Sequence, residues 1–508
     1  MQSIPVNGAA YWLPENEQDV IALVNQAILQ GKKICVRGAA HSFPLIPTLE
    51  EKAATGNNIY VLLSKMNTVT IDQPNSMVTV QAGCHLGVDP FDPTGISTLQ
   101  NSLLYQINQA GMALGDLGGI THQTVGGFLS TGSSGGSTQF NFEDALMSVD
   151  VITCGSNTAT KATYSRPVPD NPDDPFYAVA VAGIGLMGII ISATFKCIAT
   201  FNISGTETTT SCDDCEIDLF GPGKGKKLSF QHFLEQTQYT RVIWWPQKNV
   251  TKSVVWKAAR IEPTPDFVPK PYQEVPWIAG SPIPATLFAD LLYTAMGKWP
   301  DWLGDLFGTN SKAFKKIKSS AEGAFKPRIF PAISKIFVGD GVKTFWDYWY
   351  TGLPMDNQMG DKIFPVWFTE LWISIDQSMA VLNEMKSFYD SEINWENTGT
   401  FCVEIYAAKQ SPFWMSPAYA TSVIRIDIFW FANNNGTPID YYQKFWILLQ
   451  KFKFRPHWGK YLPAGDSQQG TAYLQSVYPK WTEWMNLRTQ NDPNKIFVND
   501  YWSGHLGI

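Results

Sequence analysis

Only six histidines occur in 508 residues, and one of them, His41, stands in "VRGAAHSF" (36–43) just past a Gly-Ala-Ala turn. Backbone at such a turn can approach a ligand closely, and the imidazole has few neighbours of its own. His457 and Lys460 share the short stretch "RPHWGK" (455–460). Glu404 in "VEIYAAK" and Asp427 in "IRIDIFW" lie in apolar, strand-like runs, where an inward carboxylate is costly unless it is paired or does chemistry. Arg425 precedes Asp427 by two positions and shares its face in a regular strand, so an Arg425–Asp427 ion pair is the bland alternative. Tyr406 follows Glu404 at the same spacing. Glu370, in "WFTELWISI", suits structural pairing as well as a substrate contact.

Two glycine-rich passages, 115–137 and 180–196, punctuate the first part of the chain. Gly126, Gly127, Gly132, Gly135 and Gly136 lie too densely for a plain strand or helix. They imply a loop whose N–H groups can face an anion or a flat ring. No G-x-G-x-x-G joins a strand to a helix with an acidic residue beyond, and no Gly-Lys-Ser/Thr follows, so neither a Rossmann fingerprint nor a P-loop is present. The seven cysteines are odd in number and mostly sit in apolar runs, which reads as buried thiols. Cys212 and Cys215 in "SCDDC" could bridge locally, but without a second Cys/His pair no metal is expected.

These groups need a scaffold. The segment 19–30 has helical apolar spacing, 33–38 and 58–65 read as strands, and 68–83 alternates around a Pro-Asn-Ser turn as a hairpin. A Ser, Thr, Gly and Asp-rich break is expected at 201–230. Beyond it the chain turns aromatic, as in "VIWWP", "WPDWLGDLF", "FWDYWYTG" and "SPFWMSPAY". Most of those rings belong in a core, but their density also suits a cavity for an apolar or ring-bearing ligand. A net charge of -7 without any Lys/Arg block argues against nucleic acid or an anionic membrane as partner. No apolar run is long enough for a membrane span. No signal peptide is visible at the N-terminus, so a cytoplasmic location is expected, with secretion open if a leader was processed.

Taken in order, the pieces resemble the vanillyl-alcohol-oxidase type of FAD enzyme. "VRGAAHSF" is similar to that family's R-G-x-x-H-S segment, which implies that Arg37, Gly38 and Ser42 lie at the cofactor and that His41 is bonded to the C8 methyl of the flavin. "VQAGCHLG" resembles its A-G-x-x-L/W step. "THQTVGGFLSTGSSGGS" resembles its pyrophosphate and ring loop, which brings in Gly126, Gly127, Thr131, Gly132 and Gly135. "GIGLMGIIISATFK" resembles the segment that closes the flavin site, with Ile189, and "NDPNKIFVNDYW" the family's ending, with Asn499. No family-type cysteine lies in 111–127, so a second covalent link is not expected. The resemblance implies an α+β, two-domain FAD-binding fold: 1–200 and 453–508 form the flavin domain, and 201–452 an antiparallel-sheet cap over one face of the ring.

"RPHWGK" resembles the H-W-x-K signature of aldonolactone and alditol oxidases, and "VEIYAAKQSPFWMSPAY" an alditol-oxidase stretch. The longer middle, including 242–258, looks more like the covalent-flavin cholesterol oxidases. Where the alditol pattern has Arg two residues after its Glu, this chain has Tyr406, so the polyol reader has lost its guanidinium and gained phenol, phenyl and carboxylate. A bulkier, partly aromatic or terpenoid substrate is expected. Alcohol oxidation by flavin needs hydride transfer to the ring and a base for the hydroxyl proton, with Glu404, Tyr406, Asp427, His457 and Lys460 as candidates. The resemblance places Lys460 near the flavin N1, where its ammonium would stabilise reduced flavin. Room beside the ring at Gly126 and Gly127 goes with access for molecular oxygen, so an oxidase making hydrogen peroxide is favoured over a dehydrogenase. A tailoring enzyme oxidising C–N or C–H bonds is the alternative within the fold. A non-catalytic binder of an apolar ligand is the alternative outside it, and a yellow colour separates the two.

Overall fold

The computed structural model describes residues 1–54, 56, 58–155, 157–275, 281–296, 338–358, 365–392, 395–399 and 401–508, so the aromatic run at 299–307 lies outside the described residues. Val20, Leu23, Val24 and Ala27 recur at helical spacing and form the buried stripe of helix Glu17–Gln30. Asn16 caps it by accepting from the Asp19 N–H at 3.1 Å, and Gly31 ends it at φ 61°. Strand Lys33–Arg37 follows and pairs in parallel with Asn58–Leu62, in a four-stranded sheet completed by Ala9–Leu13 and Gln2–Val6. The expected hairpin is present as Val69–Asp72 and Met77–Gln81, with Val69 opposite Val80. It edges a five-stranded antiparallel sheet that continues through Ile189–Lys196, Leu146–Thr153 and Thr160–Ser165.

Two segments differ from expectation. The glycine-dense stretch read as a loop contains a helix, Val125–Thr131, whose cap is the Thr124 Oγ1 accepting from the Gly127 N–H at 3.2 Å. A Cβ on Gly126 would stand 3.1 Å from that of Ala82, so this glycine lets the helix press against the strand end at 82. The break read at 201–230 opens with a ten-residue strand, Asn202–Ser211, in which β-branched threonines suit a pleated surface.

That strand belongs to an eight-stranded sheet in the order Gly341–Tyr348, Asn202–Ser211, Lys252–Ile261, Tyr239–Trp245, Val403–Ala408, Val423–Phe431, Val366–Ser374 and Arg455–Pro456, every neighbour antiparallel. Alternate residues share a face. The register therefore aligns Ile243, Glu404, Asp427 and Glu370 in one row across four strands. In the next row Trp372 faces Arg425 and Arg425 faces Tyr406; Arg241 stands level with Tyr406, one step beyond the paired Val242 and Ile405. The other face is covered by helix Pro438–Leu449, whose Trp446 indole N–H donates to Thr369 Oγ1 at 3.0 Å.

The end of the chain returns to the first two sheets. Ile34 N–H donates to the Ile496 carbonyl at 2.8 Å, and Cys154 N–H to that of Asn491 at 3.0 Å. All seven cysteines are free thiols, Cys212 and Cys215 among them. Among the described residues no cluster could hold a metal, and no helix is long and apolar enough to cross a membrane.

Candidate active site

The inner face of the large sheet roofs a cavity of about 790 Å³. A narrower one of about 160 Å³ runs between the first two sheets and the helix Val125–Thr131. The two share Ala40, His41, Gln123, Ser133, His457 and Lys460 as walls. His41 and Lys460, more than four hundred residues apart in sequence, meet because Phe43 N–H donates to the Gly459 carbonyl at 3.0 Å.

Most of the expected cofactor residues line the narrow cavity: Arg37, Gly38, His41, Ser42, Gly126, Gly127, Thr131, Ile189 and Asn499. A Cβ on Gly38 would lie 2.6 Å from Thr124 Oγ1, so only glycine lets this turn close on the helix cap. The Arg37 guanidinium is committed to an ion pair with Glu50, which also accepts from Tyr11 OH at 2.8 Å; it stiffens the turn that carries His41. Asn499 Oδ1 caps the last helix by accepting from the Trp502 N–H at 3.0 Å. Gly132 and Gly135 line neither cavity. Gly132, at φ 66°, ends the helix, and a Cβ on Gly135 would come 2.1 Å from the Leu117 carbonyl oxygen.

Burial, followed by the neighbouring His122 and Lys460, pulls the His41 imidazole down to about 3, so it is neutral in ordinary buffers. The His41 and His122 rings lie 5.5 Å apart between centroids. His457 is likewise lowered, to about 4, chiefly by burial. Its Nδ1 accepts from the Gly459 N–H at 3.0 Å, so the neutral ring carries its proton on Nε2, 3.4 Å from Ser133 Oγ. His457 is therefore a donor at the junction, not a base. The Lys460 ammonium lies 4.0 Å from the centroid of Phe368.

The roof carries the carboxyl groups. Arg425 does not pair with Asp427, the ion pair weighed from the sequence. Its Nε donates to Glu370 Oε1 at 2.7 Å, and its Nη1 to the carbonyls of Ser134 and Gly135 at 2.6 and 2.8 Å. Glu370 stands diagonally across from Arg425 on the paired strand, and the Trp372 indole, donating to Glu370 at 2.7 Å, completes that site. Despite burial, Arg425 holds Glu370 below the usual carboxylate range. Asp427 is driven well above it by burial and by Glu370, and Glu404 rises to about 8 through burial and Asp356. At neutral pH the row thus contains one ionised carboxylate and two largely protonated acids.

The guanidinium thought lost at position 406 is supplied from the neighbouring strand. Arg241 is 1% exposed; it bonds Asp356 at 2.5 Å and Tyr272 OH at 2.7 Å and lies 3.4 Å from Glu404. Tyr406 OH donates to Asp356 at 3.0 Å, and Asp356 N–H to the Gly119 carbonyl at 2.8 Å. Arg241 was legible as a charge inside the apolar run "YTRVIWW"; the loop around Asp356 offered no such signal.

These residues fit an FAD. The narrow cavity is walled by backbone at Gly38, Gly83, Gly126, Gly127, Gly185 and Gly188, and a Cβ at Gly185 would meet no atom within 4 Å, which leaves main-chain groups open to phosphate. It widens at His41 and Lys460, where a ring could meet a substrate in the larger cavity. Independent comparisons agree. Residues 8–88 match the FAD binding domain family, and residues 193–505 the D-arabinono-1,4-lactone oxidase family. L-gulonolactone oxidase of Scyliorhinus torazame is 20% identical over 97% of this chain and 93% of its own. The fold is that of the cholesterol oxidase from B. sterolicum, with TM-score 0.69, 16% identity and coverage of 98% of this chain and 94% of that one. It is also that of a glucooligosaccharide oxidase from Acremonium strictum, with TM-score 0.59, 15% identity and coverage of 98% and 92%. A glycine-walled cleft that opens onto a carboxyl-bearing sheet is what both family matches meet on, and the chain accordingly belongs to the D-arabinono-1,4-lactone oxidase family of FAD-dependent oxidoreductases.

Proposed function

We propose that this enzyme oxidises a CH–OH group of a bulky, partly apolar or ring-bearing molecule to a carbonyl, passing the electrons to molecular oxygen to give hydrogen peroxide. The observation that carries this reading is the raised pair Glu404 and Asp427 in a cavity of about 790 Å³ that opens at His41 and Lys460. FAD, when bound, supplies the two-electron acceptor. The protein then has three tasks. Once one member of the Glu404–Asp427 pair has lost its proton, that carboxylate takes the hydroxyl proton while its neutral partner donates a hydrogen bond that orients the oxygen. His457 Nε2–H donates at the junction, and the Lys460 ammonium offsets negative charge that accumulates there.

A base that needs its proton removed becomes active as pH rises. The acid limb of kcat/KM is therefore expected near 8, following Glu404, and not near its ordinary value of 4.5. Glu404→Gln should flatten that limb and lower the plateau; a profile level from pH 5 to 9 would exclude the pair as base. Hydrogen peroxide released stoichiometrically with carbonyl product under air tests the acceptor.

The same reading makes the FAD covalent through His41. A neutral imidazole held at the mouth of the cleft could replace a hydrogen of the flavin C8 methyl, the proton leaving to solvent and the two electrons passing through the flavin to molecular oxygen, and the A. strictum oxidase carries a histidyl FAD. Acid precipitation of the holoprotein should leave the yellow colour in the pellet, and His41→Ala should release it to the supernatant while the protein still folds and binds FAD. A colourless wild-type pellet would sink the covalent link.

A further inference from the structure

We infer that the large cavity takes an elongated, uncharged ligand that is apolar along one long side and hydroxylated along the other; this names a substrate class for the oxidation proposed above and rests on that reading. Sheet register points to it. Phe368 faces Phe429, and Cys402 and Trp245 stand level with them one step beyond the paired Val403, Ile428 and Trp244. Phe401 extends this row into an aromatic wall, its ring 5.6 Å from that of Phe429 and 5.5 Å from that of Trp245. Four residues further along the same strands, about 14 Å away at 3.4 Å per residue, run Trp372, which does not line the cavity, and then Arg425, Tyr406 and Arg241, which do. That second row continues through Trp256 to Glu207, which accepts from Lys343 at 2.9 Å.

The row between them supplies the reacting acids. A ligand lying along the rows, across the strands, therefore meets aromatic carbon on one side and hydrogen-bonding groups on the other. Its length follows from the span. The cavity is lined from Glu370 to Glu207, five strand spacings, or about 24 Å at ~4.8 Å each, whereas a single lactone ring covers little more than one.

The charge state of the ligand follows from what is already paired. Arg241 is met by Asp356, Lys343 by Glu207 and Arg425 by Glu370, so among the described residues the polar row balances itself and has no cation in surplus for a carboxylate or phosphate. Among the buried atoms with no hydrogen-bond partner among the described residues are Arg241 Nε and Asp427 Oδ1, both in residues that line the cavity. One donates and the other accepts if ionised or donates if protonated, which is the pairing that hydroxyl groups satisfy.

The test uses the holoenzyme and three probes. Methyl cholate has all its hydroxyl groups on one face of a hydrocarbon ring system, cholesterol is hydrocarbon on both faces, and L-gulono-1,4-lactone is hydroxylated throughout but short. Binding is read by calorimetry, and reduction separately by anaerobic bleaching of the flavin. Methyl cholate should bind on the order of tenfold more tightly than either other probe. Trp245→Ala should weaken methyl cholate and cholesterol on the order of tenfold and spare the lactone. Arg241→Met should weaken methyl cholate and spare cholesterol; should that protein fail to fold, Arg241→Lys keeps the charge, loses the Nε donor and should show the same selectivity. A lactone that binds more tightly than methyl cholate, or equal losses across all three probes, overturns the two-sided cavity. The expected binding pattern without bleaching by any probe upholds the two-sided cavity and fails the oxidase reading. A lactone that both binds more tightly than methyl cholate and bleaches the flavin does the reverse.

Discussion

Lys460→Met is expected to slow flavin reduction on the order of 10²-fold, the cost of one charge-stabilising donor lost from a partly dry site. Lys460 lines both cavities, so its ammonium stands where the cofactor cleft and the substrate chamber meet. It lies over Phe368 at 4.0 Å, in a region that also holds His457 and the Glu370–Arg425 pair. Met keeps the length of the stem and its contact with the ring, so the fold should survive. Substrate affinity should change less than the reduction rate, because the charge matters most as electrons arrive. The same loss should weaken formation of the sulfite adduct, which also places negative charge on the flavin. Stopped-flow reduction and a sulfite titration read the two effects independently. Normal values in both would place Lys460 away from the ring and remove its catalytic assignment.

What could be read from sequence was the content of single strands. An acid in "IRIDIFW" and another in "VEIYAAK" were visible because each interrupts an apolar run, and both do face the large cavity. Which strand lies beside which was not visible. That ordering decides that Glu370, and not Asp427, receives Arg425, and that Arg241 comes level with Tyr406. Antiparallel pairing between segments as far apart as Glu370 and Arg425, 55 positions, or Arg241 and Tyr406, farther still, leaves no local signature, since each strand is compatible with several partners until the register is set by what the faces bury. A motif position emptied of its arginine therefore says little about the charge at that place in space when a neighbouring strand can refill it.

Glycine raised the opposite difficulty. Dense glycine between 126 and 136 suggested a loop through conformational freedom, yet much of its use here is close approach: Gly126 to Ala82, Gly135 to Leu117. Close approach is a property of the neighbour, and the neighbours lie elsewhere in the chain. The capping threonine at 124 was the local clue to the helix, as serine, threonine, aspartate and asparagine are at other helix starts.

The second large effect is expected at Arg425, where structure and chemistry converge on one side chain. Arg425→Met should destabilise the folded protein by about 3–5 kcal/mol, the usual cost of removing one partner from a buried ion pair. Glu370 would be left ionised, or forced to take a proton, with the Trp372 indole as its remaining side-chain hydrogen-bond donor among the described residues, and the carbonyls of Ser134 and Gly135 would lose their donor. Adding Glu370→Gln should recover a substantial part of the loss, because the stranded charge is then gone; this coupling is the signature of a pair rather than of packing alone. The pH dependence has a defined sign. Glu370 titrates lower when folded than its ordinary 4.5, so the stability it contributes is present above that value and is lost as pH falls through the folded one. Chemical denaturation of the wild type, both single variants and the double variant, at neutral pH and near pH 4, measures the cycle. Strictly additive losses would mean that the two residues act separately and that some other contact anchors the loop at 134–135 beneath the sheet.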